Sequence, residues 1–143
     1  MDFLKQFSTK ESRYCLYAVL ICIALARMLT LGAFPLTDKT EGRYAEIGRQ
    51  MAVTNDWVTP KLAEGQPFWA KPPLSFWMTA LSIKIFGPNE FGARFAAFVC
   101  GVISVLFVFL AGSILEGRIF GLLCAIILST TGVFFVLSGS VLT

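Results

Sequence analysis

The polar residues of this chain gather in two clusters, and their types suit acid–base and anion chemistry. The first is Asp38-Lys39-Thr40-Glu41-Gly42-Arg43-Tyr44. Two carboxylates three residues apart at a helix start can act as a general base or as a pair of metal ligands. They can equally be the solvated charges of a capped helix. The second is Trp69-Ala70-Lys71-Pro72-Pro73. An ammonium on a stiff double-proline backbone, flanked by aromatics, suits a lipid phosphate at a membrane surface. A lysine snorkelling to the interface has the same signature. Arg43 and Arg49 add a second positive pole or pair with Glu46.

The elements that must position these clusters are apolar. Of 143 residues, 56% are hydrophobic and 15% charged, where a soluble domain has roughly 25% charged residues. So little charge excludes a disordered chain and a nucleic-acid binder with a basic surface. The chain has no histidine, so imidazole-based zinc sites and catalytic triads within it are excluded. Cys15, Cys22, Cys100 and Cys124 lie in apolar runs without a C-x-x-C pair and read as small hydrophobes. The net charge of +3, 12 basic minus 9 acidic side chains, says little about partners.

Three apolar runs are long enough to cross a bilayer, which takes about 20 residues. They are residues 14–36, interrupted by Arg27, then 90–115, and then the charge-free run 119–142. The expected fold is therefore an all-α integral membrane protein with three transmembrane helices and a helical external loop between the first two. Lys5, Lys10 and Arg13 in residues 1–13 predict a cytoplasmic N-terminus by the positive-inside rule. Residues 116–118 then form a cytoplasmic turn, and residues 37–89 form the external loop.

Two amphipathic or interfacial helices are expected in that loop. The first starts at Thr40, a candidate N-cap, and runs to about Thr54, with Tyr44, Ile47 and Met51 on one face and Arg43, Glu46 and Gln50 on another. The second opens at Pro72-Pro73 and stops at Gly87-Pro88, with Phe76 and Trp77 expected at headgroup depth. Asn89 is the candidate cap of the second span.

The segments LTDKTEGRYAEIGRQM, DWVTPKL, PFWAKPPLSFW and FGPNEFGARF, in this order, resemble the first external loop of the C-type glycosyltransferases. The resemblance covers about Leu36 to Phe95 and is to the branch that contains bacterial protein-mannosyltransferase-like enzymes and the lipid A aminoarabinose transferases. It implies a polytopic inner-membrane enzyme. Such an enzyme takes a sugar from a polyprenyl-phosphate donor on the external or periplasmic face and passes it to a hydroxyl of a protein, lipid or glycan.

By position, the resemblance implies Asp38 or Glu41 as the base, Arg43 and Lys71 as ligands of the donor phosphate, and Tyr44 and Glu46 as supporting side chains. The aminoarabinose transferases carry an aspartate directly before this glutamate. Here that position is Thr40, and Asp38 gives a D-x-T-E spacing instead. Their glutamate before the lysine is Ala70 here, so no metal site carries over, and no cofactor is called for, although a divalent metal is left open. Family members are several times longer, so the chain reads as an N-terminal part truncated after residue 143 and inactive alone. The reading from another class is a non-catalytic accessory or lipid-phosphate-binding subunit.

Overall fold

The computed structural model describes residues 10–36, 38–62 and 65–141. The charges Asp2 and Lys5, the expected loop start Thr37, the acid Glu64, and Leu142 at the end of the third run lie outside the described residues. All regular structure within them is helical, apart from one isolated bridge between Lys61 and Pro67.

Helix α1, Lys10–Thr30, has 21 residues. It stops six residues before the apolar run does. Gly32 and Pro35 follow it, and neither sustains a helix, the first for its backbone freedom and the second for its missing N–H. The chain turns through Leu31 to Leu36 and leaves several backbone carbonyls without helical partners.

Helix α2, Lys39–Thr54, begins one residue before the expected cap. Asp38, not Thr40, is the N-cap: its Oδ1 accepts the Thr40 N–H at 3.0 Å. Aspartate is the stronger cap because its short carboxylate reaches the second amide and meets the positive end of the helix dipole. Helix α3, Pro73–Phe86, opens on proline at its first turn as expected and ends at Gly87.

Helices α2 and α3 pack face to face. Tyr44, Ile47 and Met51 meet Phe76, Ala80 and Ile83 in a core that also takes in Ala93 and Val141. The apolar stripe of α2 is consumed by this contact, and Phe76 is 1% exposed, so it packs against protein rather than facing headgroups. Burying such a ring contributes roughly 1.5–3 kcal/mol. The opposite stripe of α3, Leu74, Trp77, Leu81 and Ile85, is exposed. Trp77 turns its indole N–H to the Trp57 carbonyl at 2.6 Å.

Helix α4, Glu90–Glu116, has 27 residues and starts at Asn89, whose Oδ1 accepts the Gly92 N–H at 2.7 Å. Only Gly117, at φ 92°, separates it from α5, Arg118–Thr130. The left-handed backbone there suits glycine. The two helices fold back tightly: a Cβ on Gly121 would lie 2.4 Å from the Phe109 carbonyl oxygen. Helix α1 packs on α5.

Helices α1 and α4 are long and apolar enough to cross a membrane. The third apolar run is instead divided. It breaks at Thr131, and a short helix α6, Gly132–Leu137, follows. The Thr130 and Thr131 hydroxyls bond back to the Ile126 and Ile127 carbonyls. That back-bonding and the low helix propensity of Gly132 end α5 after 13 residues.

Candidate functional site

The N-terminus of α2 lies between the end of α1 and the start of α4, and one arginine holds the three together. Arg94, in the second turn of α4, donates from Nε to Glu41 Oε1 at 2.8 Å and from Nη2 to Glu41 Oε2 at 2.9 Å. Its Nη1 donates to the carbonyls of Leu31 at 2.9 Å and Phe34 at 2.6 Å, and Nη2 reaches the Pro35 carbonyl at 3.3 Å. The carbonyls released where α1 ends are thus satisfied by a guanidinium fork. Glu41 Oε1 also accepts the Val141 N–H at 3.1 Å. Both side chains of the pair are 8% exposed.

Burial alone would raise the Glu41 carboxyl. The Arg94 hydrogen bonds, the Val141 N–H and the Arg94 charge outweigh it and hold the group below the usual glutamate value, against a smaller push from Asp38.

The carboxylates of the first cluster are therefore in different situations. Glu41 is buried with both oxygens engaged, whereas Asp38, three residues earlier, is exposed and uses one oxygen as the helix cap. They do not form a ligand pair. Among the described residues no three Asp, Glu, Cys or His side chains come together to hold a metal ion.

Arg43 is exposed, about 200° round α2 from Glu41 at 100° per residue. Tyr44 is buried, its ring 6.1 Å from Phe68 and 5.8 Å from Phe76. These two contacts flank the segment 69–72, so Tyr44 holds the exposed Lys71 stretch beside α2. Glu46 is paired within its own helix, with Arg49 at 2.7 Å and Gln50 at 3.2 Å. The Arg49 hydrogen bonds lower its pKa against a partial burial effect. Downstream, Asp56 is lowered chiefly by Lys61, 2.7 Å away.

Arg94 was not among the candidate side chains. Its sequence signals are a charge in the first turns of an apolar run and its place as the arginine that closes the FGPNEFGARF segment, and its partner lies 53 residues away.

The fold and site together define a helical membrane-type scaffold that carries a polar loop whose first cluster has one exposed and one clamped carboxylate. Residues 70–142 match the sequence pattern of the dolichyl-phosphate-mannose-protein mannosyltransferases, and the chain belongs to that family.

Among curated proteins it is similar to undecaprenyl phosphate-alpha-4-amino-4-deoxy-L-arabinose arabinosyl transferase 2 of Pseudomonas fluorescens. The two are 37% identical over 100 residues, which is 70% of this chain and 18% of that protein. The arabinosyl transferase of Pseudomonas savastanoi pv. phaseolicola is 38% identical over 106 residues, 73% of this chain and 20% of that protein. That of Aeromonas hydrophila is 38% identical over 82 residues, 57% of this chain and 15% of that protein. The chain thus spans about a fifth of the length of the curated relatives it matches. No solved structure matches it.

Proposed function

We propose that this chain is the acceptor-activating part of a membrane glycosyltransferase that takes a sugar from a polyprenyl-phosphate donor. The observation that carries the reading is the division of labour between Asp38 and Glu41 in a chain of this family. Glu41 is committed to Arg94, so Asp38 is the carboxylate available to an incoming hydroxyl. In the reaction, the acceptor oxygen bonds to the anomeric carbon and the carbon–oxygen bond to the donor phosphate breaks. The electron pair leaves with the polyprenyl phosphate, and Asp38 takes the hydroxyl proton. Lys71, in the segment between the Tyr44 partners Phe68 and Phe76, and Arg43 on α2, both exposed, offset the charge of the departing phosphate. Tyr44 and Glu46 act by fixing α2 and the 69–72 segment rather than by touching the sugar. The acceptor is a hydroxyl of a protein, lipid or glycan.

In this reading α1 and α4 cross the inner membrane. The N-terminus is cytoplasmic, α5 and α6 make a third, broken crossing, and α2 and α3 lie on the external face. Support comes from the length and apolarity of α1 and α4 and from the exposed apolar stripe of α3, which suits the bilayer surface.

The test is transfer from a radiolabelled polyprenyl-phosphate sugar in membranes carrying the protein with its full reading frame. Asp38→Asn keeps the helix cap, since asparagine caps as well as aspartate, but removes the base. A loss of kcat of roughly 100-fold or more is expected, the usual scale of a general base. Wild-type turnover by Asp38→Asn would remove Asp38 from the mechanism.

A further inference from the structure

A cleft of about 190 Å3 opens between the first turns of α1 and the start of α5. It lies at the far end of α1 from Asp38 and Glu41. Lys10 and Thr30 bound that helix, so ~30 Å separates its two ends at 1.5 Å per residue. The lining is Lys10, Arg13, Tyr14 and Tyr17 from α1 and Arg118 from α5. Positions 10, 13, 14 and 17 follow the i, i+3, i+4, i+7 spacing that puts four side chains on one helix face. Arg118 reaches the same space because Gly117, at φ 92°, turns the chain back directly before it. The Tyr17 ring stands edge-on to Phe109 at 6.2 Å, which ties this wall to α4.

Three positive charges thus converge on one small space from two helices. Among the described residues none of the three forms an ion pair. The neighbouring acids Glu11 and Glu116 do not line the cleft. The positive-inside rule accounts for basic residues at this end of the chain, but it counts charges and is indifferent to the helix face they take. It leaves their convergence unexplained. Guanidinium groups offer paired N–H donors that match phosphate oxygens, an ammonium adds a point charge, and phenol hydroxyls can donate as well.

We propose that this cleft binds the phosphate headgroup of an anionic phospholipid such as phosphatidylglycerol. The site goes beyond the glycosyl-transfer reading and shares with it only the placement of α1 in the bilayer. A lipid is chosen over free phosphate because of what adjoins the cleft. Tyr14, Ala18, Ile21 and Leu25 form an exposed apolar stripe that runs along α1 away from it. Acyl chains can lie on that stripe while the head sits among the cations, whereas free phosphate would leave the stripe uncovered. Tyrosine is also enriched at the depth where headgroups meet hydrocarbon.

The experiment is native mass spectrometry of the full-length protein, delipidated in a neutral detergent and titrated with phosphatidylglycerol or phosphatidylcholine. The tightest-bound phosphatidylglycerol is expected to exceed phosphatidylcholine in affinity by roughly tenfold or more, given three charges near the membrane surface. Arg118→Gln should weaken it roughly fivefold, the share of one such charge, and Arg118→Lys should keep most of the affinity. Lys39→Gln removes an exposed cation beyond the other end of α1 and should leave it unchanged.

Equal affinity for the two lipids, undiminished binding by Arg118→Gln, or equal losses from Arg118→Gln and Lys39→Gln would each overturn the proposal. So would displacement of phosphatidylglycerol by inorganic phosphate at the same concentration, which would make the ligand a soluble anion. Should Arg118→Gln not fold, Arg13→Gln removes a charge from the α1 side and is read the same way: weaker binding supports, unchanged binding overturns. Sugar transfer does not enter this readout. Selective lipid binding without transfer removes the activity alone, and active transfer without selective binding removes the site alone.

Discussion

Glu41 and Arg94 meet as a buried, two-pronged ion pair across 53 residues of sequence, and the arginine carries the end of α1 with it. The pair locks the start of α2, and hence Asp38, against the first turns of α4. Removing one partner leaves a charge with nothing to satisfy it, which costs about 3–5 kcal/mol in a buried pair. Arg94→Ala is therefore expected to lower the apparent Tm of the detergent-purified protein strongly and to reduce its yield. Arg94→Lys, which cannot grip both carboxylate oxygens and the three carbonyls at once, should fall between. A thermal-shift series across the two variants checks the order; equal Tm values for Arg94→Ala and wild type would show the pair to be dispensable.

The pH dependence of this lock follows from the sign of the Glu41 shift. Its folded pKa is depressed by Arg94 and the Val141 N–H against burial. The stabilisation is therefore fully present above the unfolded value of about 4.3 and is lost as pH falls below it through the folded pKa. The apparent Tm of wild type should be flat in Glu41's contribution near neutrality and drop below that value. In Glu41→Gln the starting Tm should be lower and the drop shallower. Identical acid slopes for the two proteins would mean that another carboxylate governs the acid limb.

Much of the scaffold is legible in the sequence because it depends on local chemistry. Asn89 caps α4, Pro73 opens α3, and Gly87 closes it, each read from residue type and neighbours. What was misplaced depended on competition or distance. Thr40 and Asp38 are both plausible caps, and the carboxylate wins by reach and charge. The apolar face of α2 looked suited to a membrane surface, but the buried face of α3 takes it instead. The break at Thr131 arises from hydroxyls that bond backward in an otherwise unbroken apolar run. Arg94 stands in the sequence as the arginine that closes FGPNEFGARF, but nothing local shows that its guanidinium will find a glutamate in another helix.

The two carboxylates should separate in a paired experiment. Asp38→Asn removes a proton acceptor but keeps the cap, so the expected outcome is a fall in kcat with the apparent Tm unchanged. Asp38→Ala should also lose about 1 kcal/mol of helix stability. Glu41→Gln should lower Tm first, with any fall in turnover following from the loosened α2. If Glu41→Gln kept its Tm and lost all turnover, the base would be Glu41 and the assignment to Asp38 would fail.

The close return of α4 into α5 offers a test of the membrane scaffold that is independent of the chemistry. Gly112 and Gly121 face each other so closely that a Cβ on Gly112 would sit 2.8 Å from the Gly121 Cα. A Cβ on Gly121 would meet backbone of Phe109 at 2.4 Å and of Ser113 at 2.8 Å. Backbone cannot swing aside as a side-chain tip can, so the helices themselves must part. Small residues at such crossings let backbones approach and gain dispersion contacts that lipid does not replace. Gly121→Ala is expected to cost about 1–3 kcal/mol, the range for overpacking, and Gly121→Val more. Leu115→Ala, on an exposed face at the end of α4, should change little. A thermal-shift series across these variants checks the order, and unchanged stability of Gly121→Val would mean that α4 and α5 do not return this closely.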